Sequence, residues 1–144
     1  MVANLTLDSR PKERGFPMAW DNVLYDSRSL GYVVATHQKG MDHGPTVLTY
    51  YLPLTDTDPK AARATLLGAT YRELADATMA DLATAHPDLP AHVRRLDIYR
   101  WGHAMVRPRP GFVWGRDREQ ACQPLGRILF AHTDLAGLPL FEEA

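Results

Sequence analysis

The first residues, Val2-Ala3-Asn4-Leu5-Thr6-Leu7-Asp8, alternate polar and apolar positions with the period of two that puts one side of a strand on a core. A strand is therefore expected over 2–8. Segments 20–25 and 31–38 have the same character and flank the polar turn Asp26-Ser27-Arg28-Ser29, which predicts a hairpin. Segment 46–52 is rich in Thr, Val and Tyr and stops at Pro53, giving a fourth strand. The short spacings favour antiparallel pairing.

The period then lengthens. Asp58-Pro59 supplies an N-cap and a proline in the first helical position, and Gly68 marks the end of that helix. Thr70 with Glu73 has the capping-box form, and Tyr71, Leu74, Ala75, Thr78 and Leu82 follow at helical spacing. His86-Pro87 closes this second helix, because a residue before proline avoids the helical region. Both helices read as packing against the sheet. Strand character returns over 95–101, the Arg107-Pro108-Arg109-Pro110-Gly111 run cannot be regular, and 126–131 reads as a short buried strand. A turn over 134–137 follows, and Leu140 onward opens a helix. The expected fold is α+β: a mainly antiparallel or mixed sheet with helices on one face.

The 144 residues suffice for a core, and 45% apolar with 23% charged residues is a globular composition. A net charge of −1 gives no electrostatic pull toward nucleic acid or an anionic membrane, and most arginines, Arg94-Arg95 and Arg107/Arg109 included, read as solvated. No run is long and apolar enough for a transmembrane helix. The lone Cys122 excludes an internal disulfide and fits a reducing cytoplasm. His37, His43, His103 and His132 show no metal-ligand spacing, so no metal is expected. The aromatic residues on strands, such as Tyr32, Tyr50 and Tyr51, read as sheet packing.

The last segment carries the candidate chemistry. After 126–131 come His132-Thr133-Asp134, Gly137 and then Phe141-Glu142-Glu143-Ala144. A strand, an acid, a loop and a new helix form a plausible edge for a dinucleotide: the acid accepts hydrogen bonds from hydroxyls, and the helix N-terminus offers free N–H groups. From spacing alone the same residues are also an ordinary strand-to-helix turn with an acidic cap.

This segment resembles the C-terminal motif of the flavin amine oxidase family, which includes the phytoene-desaturase-like enzymes. A Phe-Ala-Gly-x-Glu core there leads to a Glu-Gly-Ala helix start, matched here by Phe130-Ala131, Asp134, Glu142 and Ala144. The upstream Tyr99-Arg100-Trp101-Gly102-His103 is similar to the Trp–Gly segment that precedes that motif. The resemblance implies an FAD-dependent oxidoreductase acting on a small organic substrate. Trp101 and His103 would stand on the substrate side of the flavin. Asp134, the amide at Phe141 and Glu142 would contact the cofactor. Residues 1–125 would be substrate-domain-like, and 126–144 would be the edge of the FAD-binding domain.

Three departures shape that expectation. His132 and Glu143 stand where the family has glycines, and the first strand carries no lysine. They favour a bacterial FAD/NAD(P)-binding branch over a true amine oxidase. None of the ten glycines forms the Gly-x-Gly-x-x-Gly turn that grips the ADP half of FAD. Met1 is therefore expected to mark a cut or late start in a longer protein, with weak or absent FAD binding by this chain and self-association through exposed edges. A free-standing α+β binding domain without catalysis is the competing expectation.

Overall fold

The computed structural model describes residues 1–140. Two compact units divide the chain, Met1–Gly102 and His103–Ala144. The first contains a five-stranded sheet in the order β2-β3-β4-β1-β5, with every neighbouring pair antiparallel. Its strands are β1 (Val2–Leu7), β2 (Asp21–Asn22), β3 (Gly31–Val34), β4 (Thr46–Tyr51) and β5 (Val93–Tyr99). Between β4 and β5 lie α1 (Pro59–Gly68), α2 (Tyr71–Ala85) and the short α3 (Leu89–His92). The fold is α+β, as the alternation of periods predicts.

Local signals set the helix boundaries. The Asp58 carboxylate accepts from the Lys60 and Ala61 amides, ahead of Pro59 in the first turn. Thr70 and Glu73 close a complete capping box. The carboxyl of Glu73 is held below its ordinary range by the backbone N–H and hydroxyl of Thr70.

The core lies between one face of the sheet and the helices. Ala3, Leu5 and Leu7 of β1 pack with Val34, Leu48, Leu66, Leu82 and Leu89, all buried. Each fully buried leucine contributes about 1.5–3 kcal/mol relative to exposure. Polar groups enter this core in pairs. The hydroxyl of Tyr50 and the Oγ of Ser27 both donate to Oδ2 of Asp81 on α2, at 2.8 and 2.7 Å. The hydroxyl of Tyr32 lies 2.6 Å from Nε2 of His86, with the two rings edge to face. Ser27 also meets Ser29 Oγ at 2.8 Å, so the loop after β2 is tied to α2 through side chains.

Three expected strands differ in extent. Over 20–25 only Asp21–Asn22 pairs with β3, because Asp26 turns the chain with φ of 58°. Over 31–38 the strand ends at Val34, and Ala35–Lys39 is a 3-10 helix. There the Thr36 hydroxyl meets Thr46 Oγ1 and accepts from Arg10, both at 2.8 Å, which draws the chain off the sheet edge. The last strand runs over Val93–Tyr99, two residues earlier than the pattern of 95–101. At the start of β3, Gly31 has φ of +90°, and a Cβ there would fall 1.8 Å from the Asn22 carbonyl oxygen. Only glycine allows β2 and β3 to approach at this point.

The second unit holds α4 (Arg116–Ala121) and α5 (Thr133–Ala136). Arg118 is its hub: the guanidinium donates to the carbonyls of Val113 and Leu135. The sequence pattern predicts a buried strand over 126–131, and the structure corrects this. Leu125 and Ile128 close a tight turn on each other, Gly126 has φ of +63°, and Leu129 is 80% exposed. The apolar run has strand composition, yet no strand among the described residues of this unit pairs with it.

The buried phenols give a pH test. Burial, and next the charge of Glu13, push the Tyr32 phenol up to about 12 from an ordinary 10.0. Burial, then the bond to Asp81, raises Tyr50 as well. A raised phenol stabilises the fold while neutral, so this contribution is whole below pH 10.0 and lost as pH climbs through about 12. An absorbance titration of the six tyrosines should show the phenols of Tyr32, Tyr50 and Tyr51 ionising late, the first two coinciding with alkaline unfolding. Tyr32→Phe should remove one of them. Simultaneous titration of all six in folded protein would contradict the burial argument.

Candidate functional site

In the first unit all three helices follow β4, and the buried sheet residues pack with Leu66, Leu82 and Leu89 on one face. No helix of this unit packs on the other face. Register arranges that face in rows. Gly31, Tyr51, Val2 and Tyr99 form one row across β3, β4, β1 and β5. Val33, Thr49, Asn4 and Asp97 form the next, with Asp21 of β2 opposite Val33. Val47, Thr6 and Arg95 form a third.

The middle row contains an unusual group. Oδ1 of Asn4 is a buried side-chain atom without a hydrogen-bond partner, a condition shared among the described residues only with Nε of Arg10. An acceptor withdrawn from water without a donor costs about 1–3 kcal/mol. Asp97, its neighbour in the row, is joined to Arg95 at 2.7 Å. Burial, and next the negative charge of Asp21, raise the Tyr51 phenol and keep it a neutral donor. The face thus offers two tyrosines flanking Val2, and an unmet acceptor in the adjacent row. Such a surface suits binding of a partly apolar molecule; the Asn4 oxygen is itself covered, so it meets a ligand's donor only if the side chains over it move, and the face contains no nucleophile paired with a base.

A Ser–His–Asp group stands elsewhere, at the end of β1. Ser9 Oγ lies 2.8 Å from His92 Nδ1, and His92 Nε2 lies 3.5 Å from Asp88 Oδ2. Its carboxylates have other principal partners. Asp88 accepts the Lys12 amide, which holds it below its ordinary range. Burial would raise Asp8, but the Arg94 guanidinium outweighs it and holds that carboxyl low. The group therefore laces β1 to α3 and β5.

The residues singled out from sequence fall in different places. Trp101 follows β5 in the first unit and is 57% exposed. The carbonyl of its neighbour Gly102 accepts Nε of Arg63 at 2.8 Å. His103, exposed, opens the second unit. Asp134 is the second residue of α5, and the cap of that helix is His132: Nδ1 of the imidazole accepts the Asp134 amide at 3.1 Å. The acid is thus not the cap of α5, and the helix start at which free N–H groups were expected, around Phe141, lies outside the described residues. The Asp134 carboxylate is 59% exposed and lies 3.6 Å from His132, which leaves it acceptor capacity. Phe141 and Glu142 lie outside the described residues.

A shallow cleft of about 270 Å³ in the second unit is lined, among the described residues, by Gly111, Phe112 and the start of α4, and not by Trp101, His103 or Asp134. No group of three metal-ligating side chains occurs among the described residues, and no helix among them is long and apolar enough to cross a membrane. Sequence reasoning missed Asn4 and Asp81. Asp81 had a signal, since it lies three residues after Thr78 on the inward side of α2, where a carboxylate requires partners. Comparison of the chain with protein families, curated proteins and solved structures gave no match.

If Asn4 is held for binding rather than for the fold, removing its orphaned acceptor should stabilise the protein. Asn4→Val also suits a strand better. Urea unfolding should show a gain of about 1 kcal/mol with an unchanged slope. A loss of stability would show that Asn4 serves the sheet.

Proposed function

We propose that this chain is the substrate-binding part of an FAD-dependent oxidoreductase similar to the flavin amine oxidases and phytoene-desaturase-like enzymes, acting on a small organic molecule. The order of motifs from Tyr99 to Ala144 supports this reading. The observation that carries it is the helix-free sheet face, with Tyr51 and Tyr99 flanking Val2 and the unpartnered Asn4 acceptor in the next row. A face of this kind orients a ligand without supplying redox chemistry, as expected of a domain that works beside a flavin.

The described residues fit the cofactor at one contact only. Asp134 offers an exposed carboxylate, but α5 has four residues and no glycine-rich turn is present to take a pyrophosphate. In the proposed longer parent the flavin would supply the electron acceptor, and the rest of the grip on FAD would come from Phe141 and Glu142, outside the described residues, and from a glycine-rich turn elsewhere in that parent. The role of these residues is to bind and orient the substrate and to hold one polar end of the cofactor.

Asp134 separates the two readings of its segment. A carboxylate bond to a cofactor hydroxyl is worth about 1.5–3 kcal/mol, so Asp134→Ala in the parent should weaken FAD retention roughly ten- to a hundredfold. Asp134→Asn should cost less. Bound flavin and melting temperature are measured on the same variant. A lowered melting temperature at full flavin occupancy would assign Asp134 to helix stability alone.

A further inference from the structure

β5 is the last strand of the sheet and pairs only with β1. The hydroxyl of Tyr71 donates to the Leu96 carbonyl at 2.8 Å, which therefore faces away from β1. In an antiparallel ladder N–H and C=O of one residue point the same way and alternate along the strand. The outward backbone groups are thus those of Leu96 and Ile98, and the ladder breaks at Arg94, where the register to β1 shifts by one residue. The opposite edge, β2, is only Asp21–Asn22 and offers little to a partner.

The sequence of this edge is self-complementary. Around Leu96 stand Arg95 and Asp97, of opposite charge, both on the helix-free face. We propose that the outer edge of β5 is a dimer interface, at which a second copy of this chain adds antiparallel about a two-fold axis through Leu96. Leu96 then exchanges N–H···O=C bonds with Leu96 of the other copy, and the outward groups of Ile98 face the bulge at Arg94. The Leu96 oxygen has two lone pairs, so Tyr71 keeps its bond. Arg95 of each copy comes opposite Asp97 of the other in a non-hydrogen-bonded pair, where side chains approach most closely. The intrachain Arg95–Asp97 contact of 2.7 Å persists, so the four charges alternate in sign. Such a two-fold keeps the helices of both copies on one face and makes the helix-free faces continuous.

The register is specified by the same residues. A slip of one residue would put helix-side positions opposite outward ones. A slip of two would set Arg95 against Arg95 or Asp97 against Asp97, which is repulsive. This inference does not depend on the proposed function.

Sedimentation velocity on residues 1–144 over a range of concentrations tests it, with circular dichroism confirming that each variant is folded. The native chain should show a monomer–dimer equilibrium. Arg95→Asp and Asp97→Arg should each weaken it at least about tenfold, since each creates rows of like charge. Mixing the two variants should restore a dimer, because every row then pairs opposite charges, and the double exchange should restore it within one molecule. Hydrogen exchange at the Leu96 amide should slow as concentration rises in the native chain. A native chain that is monomeric throughout, single variants as dimeric as the native chain, or a mixture without dimer would each overturn the proposal.

Discussion

The fold depends on the double pairing of β1. This strand is hydrogen-bonded to β4 on one side and β5 on the other, while its alternate residues Ala3, Leu5 and Leu7 are buried beneath the helices. A one-residue slip would turn those side chains onto the helix-free face, so burial fixes register on both flanks at once. From that register follow the rows on the far face, the position of Asn4 between Thr49 and Asp97, and the exposure of β5 as the terminal strand.

The two faces of the sheet treat polar groups differently. On the helix side every buried polar pair is closed: Tyr50 and Ser27 on Asp81, and Tyr32 against His86. These bonds lock α2 over β3 and β4, and burial raises both phenols. On the other side Asn4 is left without a partner.

Where structure follows from contiguous residues, the sequence was readable. Strand alternation located β1 and β4, and the caps at Asp58 and Thr70 located α1 and α2. Where structure depends on a distant partner, it was not. The 126–131 segment has strand composition, yet a strand needs a neighbour, and Leu125 meets Ile128 instead. The end of β3 is set by Thr36 meeting Thr46, ten residues away. Asn4 looked like one polar position in an alternating strand, and its lack of a donor emerges only from the side chains around it. The His132 cap escaped notice because imidazole is an uncommon cap, whereas an acid nearby invites the assignment.

In the function we propose, one face of the sheet binds the substrate and the cofactor is held mostly by other residues. The most direct test is the flavin content of two purified proteins: residues 1–144, and the longer parent that the proposed function requires. The account predicts that the longer protein carries about one FAD per chain, while residues 1–144 retain none and titrate with FAD only weakly. A longer protein without flavin would contradict it, and so would sub-micromolar FAD binding by residues 1–144 alone.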